Sequence, residues 1–144
     1  MIKVEPVIDH IEITVRDMEH AISFYDKFLP LLGYDLEKRS EVYLQNHEKH
    51  VVSFEHSKLG FAITSPLKVF SDETINRRKP GSLHHLAFKV ASRSEVDRIF
   101  DQLKVIGAEI VSPPTEYPEY TPSGYYALFI KDPEGIKFEF VCYE

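Results

Sequence analysis

The chain has 144 residues, one domain's worth, and can bury a core without disulfide or metal staples. Its 43% apolar content, with ten Phe and eight Tyr, excludes a disordered chain. Seventeen basic against 23 acidic residues leave a net charge of −6, and no basic run exceeds Arg77-Arg78-Lys79, so no nucleic-acid partner is expected.

A repeat organises the chain. Asp9–Tyr25 laid over His84–Phe100, an offset of 75, sets His10 on His85, Val15 on Val90, Tyr25 on Phe100 and Asp26 on Asp101. Each copy opens with an alternating strand: Ile11, Ile13, Val15 in the first, Leu86, Phe88, Val90 in the second. A helix follows. Asp17 caps the first, with a stripe at Met18, Ala21, Ile22, Tyr25, Phe28 and Leu29. Ser92 and Glu95 have capping-box spacing for the second, whose stripe is Val96, Ile99, Phe100 and Leu103. Gly33 and Gly107 stand where a left-handed C-cap is wanted. Three strands then close each copy. The first copy's are expected around Leu36–Arg39, Val51–Glu55 and Gly60–Thr64. The second copy's are expected around Glu109–Ser112, Tyr125–Ile130 and Ile136–Cys142, with Asp132-Pro-Glu-Gly135 turning the last hairpin. The proline-rich Ser112–Gly124 reads as a binding loop. The expected fold is α+β: one domain of two tandem βαβββ modules, about 7–66 and 83–144, joined by a linker over 67–82.

The non-core faces carry the chemistry. His10, Glu12 and Thr14 share one face of the first strand, and His85, Ala87 and Lys89 share that of the second copy. In the closing strand Lys137, Glu139 and Val141 oppose Phe138, Phe140 and Cys142. Two histidines and a carboxylate are ligands that a divalent first-row metal takes, leaving positions open for substrate. Alternatively the aligned histidines stand on a plain solvated sheet. Arg77 and Arg78 can grip a carboxylate or phosphate bidentately. Tyr117 and Tyr120 are candidates to contact a ligand from the proline-rich loop. Cys142 lies on the apolar face and reads as a buried thiol; a single cysteine allows no intrachain disulfide. No apolar run approaches the roughly 18 residues of a membrane span, and the charges in the first five residues are unlike a signal peptide, so a cytoplasmic protein with no membrane partner is expected.

The Asp9-His10-Ile11 and His84-His85-Leu-Ala-Phe-Lys-Val90 starts and the Asp132-Pro-Glu-Gly-Ile-Lys-Phe-Glu139 ending, in a doubled βαβββ order, resemble the vicinal oxygen chelate superfamily. That group includes glyoxalase I, extradiol dioxygenases and bleomycin-binding proteins. The resemblance spans about Val7 to Tyr143. It implies curved antiparallel sheets forming a cleft with a divalent ion, Zn, Ni, Mn or Fe, on His10, His85 and Glu139. It also implies a small-molecule substrate whose adjacent oxygens are chelated, in a lyase or isomerase reaction, and a possible homodimer. Glyoxalase I has a carboxylate on the last strand of its first module, where this chain has Ile63 or Thr64, a departure that argues against that reaction. A proton would then be moved by Glu12 or by a tyrosine, Tyr126 being chosen over its neighbour Tyr125. The alternatives are a metal-free binding protein like those for bleomycin, or an Fe(II) extradiol-type dioxygenase, whose usual tyrosine position is Phe129 here.

Overall fold

The computed structural model describes residues 6–120 and 124–144. The chain divides into two compact units, Met1–Glu73 and Thr74–Glu144. Both have the βαβββ order. Unit 1 runs β1 (His10–Thr14), α1 (Met18–Phe28), β2 (Ser40–Leu44), β3 (Lys49–Phe54) and β4 (Gly60–Thr64). Unit 2 runs β5 (Leu86–Lys89), α2 (Arg93–Val105), β6 (Glu109–Glu116), β7 (Tyr125–Lys131) and β8 (Lys137–Tyr143). Their sheets have the same connectivity, β1-β4-β3-β2 and β5-β8-β7-β6. Neither is purely antiparallel as expected: β1 pairs parallel with β4, and β5 with β8. The helix between the first strand and its hairpins makes that crossover possible.

In unit 1, Asp17 caps α1 by accepting from the His20 N–H at 3.0 Å. Ala21, Tyr25 and Phe28, spaced by four and three, form the buried stripe. Tyr25 lies 5.3 Å from Phe61 of β4, and Val52, Phe54, Phe61 and Ile63 complete the core. Each such side chain contributes about 1.5–3 kcal/mol by leaving water. In unit 2, Ser92 caps α2 by accepting from the Glu95 N–H. Val96, Ile99 and Leu103 face the sheet. Phe88 stacks on Phe138 and Phe140 at 6.2 and 5.7 Å. Gly33 and Gly107 end their helical segments at φ +89° and +75°, as their positions demanded.

Two segments differ from expectation. Leu36–Lys38 is a 3₁₀ turn, not a strand: Asp35 accepts from the Glu37 N–H at 3.0 Å and winds the chain. The strand begins instead at Ser40, in a segment exposed throughout and so without a hydrophobic alternation to reveal it. Ser112–Gly124 is not all loop. Strand β6 continues through Pro113 and Pro114 to Glu116, with register shifts after Ile110 and Ser112. As an edge strand it tolerates residues that cannot donate to a ladder. Residues 121–123 of that segment, and the charged residues 1–5, lie outside the described residues.

Candidate functional site

The turn Asp132–Gly135 sets the register of the site in unit 2. Gly135 donates to the Asp132 carbonyl at 3.0 Å, and the Asp132 carboxylate accepts from the N–H groups of Glu134 and Ile136. The hairpin then pairs Lys131 with Lys137, Phe129 with Glu139, Ala127 with Val141, and Tyr125 with Tyr143. All of these lie on the face away from α2. Ala87 joins them opposite Glu139 from β5.

Glu139 is the chemical centre of this face. A carboxylate on a strand flanked by two others loses its water, and its side chain is 1% exposed. Tyr125 donates its hydroxyl to one oxygen, Oε1. The other, Oε2, is buried with no hydrogen-bond partner. It lies 3.0 Å from Nε2 of His85, which enters from the residue before β5. His84 and His85 share a 2.8 Å hydrogen bond between their Nδ1 atoms, which steadies the imidazole. Burial, then the bond to Glu139, pushes the Tyr125 hydroxyl far above its ordinary value, so it stays a donor at neutral pH. Tyr125→Phe strips Oε1 of its donor as well. In chelator-treated protein it should cost about 1–3 kcal/mol in a urea melt; an unchanged midpoint would show that the bond carries no weight.

Tyr125, not Tyr126, is therefore the tyrosine beside the carboxylate. Tyr126 is one residue out of phase and turns toward α2. There it donates to Asp97 at 2.7 Å under the Arg93 guanidinium, its hydroxyl raised to about 12 by burial and by Asp97. Tyr117 and Tyr120 stack on each other at 5.2 Å and pack edge-on against Tyr125. Tyr117 also meets Phe129 and exchanges a 2.6 Å hydrogen bond with Ser112. Arg77 is partly buried, its Nε without a hydrogen-bond partner. Arg78 is exposed. Lys137 sits over the Phe129 ring, 4.3 Å from its centroid.

In unit 1, His10, Glu12 and Thr14 occupy the exposed face of β1 as their alternation required. His10 Nδ1 is 2.6 Å from Asp9. Glu12 forms an ion pair with Lys49 at the edge of a concavity of about 500 Å³, which Thr14, Thr64 and Phe70 also line. The two positions that depart from glyoxalase I offer no ligand: Ile63 is fully buried, and Thr64 donates to the His50 carbonyl at 3.1 Å. The structure thus brings together His85 and Glu139, and Tyr117 and Tyr120 around Tyr125. Among the described residues no group of three or more His, Cys, Asp or Glu side chains is placed to hold a metal ion. Sequence reasoning missed Tyr125, Lys137 and Lys49. Counting back from the Asp132 turn is the signal that finds Tyr125.

Comparison with known proteins agrees with the fold. Residues 7–140 match the family model of the Glyoxalase/Bleomycin resistance protein/Dioxygenase superfamily. The uncharacterized protein YqjT of Bacillus subtilis (strain 168) is 30% identical over 134 residues, 92% of this chain and 96% of that protein. A candidate glyoxalase from Bacillus halodurans superposes with a TM-score of 0.72 at 31% identity, covering 95% and 96% of the two chains. The glyoxalase family protein from Enterococcus faecalis gives 0.69 at 21% identity, covering 95% and 98%. With the doubled βαβββ order and the family match over nearly its whole length, the chain belongs to the Glyoxalase/Bleomycin resistance protein/Dioxygenase superfamily.

Proposed function

We propose that this is a metal-dependent enzyme of the glyoxalase-like group, acting on a small molecule through adjacent oxygens. The observation that carries the reading is Glu139 Oε2, a buried carboxylate oxygen with no donor, facing the Nε2 of His85. Such an oxygen is costly unless something positive meets it. Carboxylate and imidazole together fit a divalent first-row ion, and His10 is the third ligand in the sequence-based assignment. Bound there, a divalent ion acts as a Lewis acid for charge that develops on substrate oxygens. The protein's own groups do the rest. Tyr125 orients the Glu139 carboxylate, and His84 holds the ring of His85. Glu12, held by Lys49 beside its concavity, is the candidate to carry a proton.

The test is elemental analysis of protein purified without chelator, then titration of chelator-treated protein with Zn, Ni, Mn and Fe(II). About one equivalent per chain is expected, lost in His85→Ala and in His10→Ala. A second reading rests on the same 3.0 Å approach: His85 and Glu139 satisfy one another as an ion pair, and the domain binds its ligand without metal. Wild-type protein that neither carries nor takes up any of the four ions overturns the first reading and leaves the second.

A further inference from the structure

The two units end their sheets in equivalent strands, and those two edges differ. By sheet order β2 in unit 1 and β6 in unit 2 stand last, each with a neighbour on one side only among the described residues. A strand in that place offers a row of unpaired N–H and C=O groups to any other extended chain. Strand β6 is blunted against such pairing. It contains Pro113 and Pro114, and its register shifts after Ile110 and after Ser112. Strand β2 has neither device. Ser40–Leu44 contains no proline and pairs with β3 in an unbroken register, from Ser40 opposite Ser53 to Leu44 opposite Lys49. Its free side is therefore as regular as its paired one.

The side chains suit a covered strand. Val42, Tyr43 and Leu44 are 49%, 56% and 39% exposed. An apolar run on an open, regular edge is a surface that sheets avoid unless it is used. Charge indicates what uses it. The chain carries −6 overall, yet Glu37–Asn46 holds two acidic and two basic residues and sums to zero. Glu41 is held within its own unit by Arg39 at 3.3 Å and by His50 at 2.7 Å. Two copies of this edge meet without net repulsion.

A two-fold axis perpendicular to the sheet keeps like faces together, so each antiparallel register sets one residue opposite itself. Centring on Glu41 opposes two carboxylates, which is unfavourable. Centring on Tyr43 runs the pairing past Leu44 into the 3₁₀ turn Gln45–His47, which leaves the ladder. Centring on Val42 keeps all of Ser40–Leu44 paired. Two β-branched side chains then face each other at Val42, and the Glu41 carboxylate stands opposite the Tyr43 hydroxyl.

We propose that β2 is a dimerisation edge, pairing antiparallel with β2 of a second copy in the register centred on Val42. The pairing joins two unit 1 sheets into one. It consumes both edges, so association stops at two copies. A strand-to-strand contact is small beside the roughly 800 Å² per partner of a standard interface, so a reversible dimer weaker than about 1 μM is expected. None of the proposed metal ligands lies on β2, so the dimer is independent of metal.

The test is sedimentation velocity of full-length protein from about 10 μM to about 1 mM, with and without chelator. Reversible monomer–dimer exchange is expected in both. Val42→Lys and Val42→Glu each place like charges across the axis and should weaken association at least about tenfold. Mixing those two variants should restore it, because each charge then meets its opposite. Val111→Lys makes the same change on the β6 edge, where Val111 is also exposed, and should dimerise as wild type does. If a charged variant fails to fold by circular dichroism, Val42→Cys decides: mild oxidation should link it as a dimer, while Val111→Cys stays unlinked, the native Cys142 being buried in both. Wild-type protein that stays monomeric at the highest concentration overturns the proposal. So does a dimer that Val42→Lys leaves intact, that chelator dissolves, or that Val111→Lys weakens equally. A mixture of the two charged variants that associates no better than either alone overturns the Val42 register.

Discussion

Glu139→Gln is expected to lower metal affinity at least about 100-fold while leaving chelator-treated protein as stable as wild type, or more so. The substitution keeps the shape and removes the charge. Without metal, the wild-type carboxylate has one oxygen served by Tyr125 and another that is buried without a hydrogen bond, 3.0 Å from the half-exposed His85 ring. A neutral amide avoids that desolvation. Metal titration and urea melts of the same preparation check both halves. Retained affinity would remove Glu139 from the ligand set. A loss of about 3–5 kcal/mol in chelated protein would instead show that His85 and Glu139 are a structural ion pair whose attraction exceeds the desolvation that the amide relieves.

Phe140→Ala should cost about 3–5 kcal/mol, the largest loss of any core truncation in unit 2. Its side chain is fully buried, stacks on Phe88 and lies between Phe88 of β5 and Leu128 of β7 in the register. Truncation leaves a cavity that three strands cannot close without losing pairing. Phe140→Leu keeps most of the volume and should cost less than about 1.5 kcal/mol. A urea midpoint that moves as little for alanine as for leucine would mean that the site collapses freely and that the sheet is not packed as described.

Much of this architecture was legible because both periods repeat. Alternation at Ile11, Ile13 and Leu86, Phe88 marks strands, and the Ala21–Tyr25–Phe28 and Val96–Ile99–Leu103 spacings mark helices. Each of those patterns records a buried face. Strand β2 was missed because it buries nothing and leaves no such record. The turn at Leu36–Lys38 follows from local chemistry: Leu, Glu and Lys all favour a helical turn, and the Asp35 side chain caps it. At the site, His85 and Glu139 could be named because each occupies a fixed place relative to a motif. Tyr125 was passed over because the choice between it and Tyr126 turns on a single residue of register. Arg77 was visible as a charge, but its missing acceptor is a property of burial, which no spacing reveals.

The parallel pairing of first with last strand also governs the order of assembly. His10 meets Gly60, and Leu86 meets Phe138, about fifty residues apart in each case. As a ribosome releases the chain, β1 emerges with no strand to join. The local hairpins β2–β3 and β3–β4 form first, since short loops close at little entropic cost. Only then can β1 dock against β4, and β5 must wait in the same way for β8. Until it does, the exposed edge of an unfinished sheet is open to any other strand nearby. Strand β8, whose pairing with β5 completes the second sheet, is the stretch that carries Glu139, so unit 2 acquires its chemistry in the step that closes its fold.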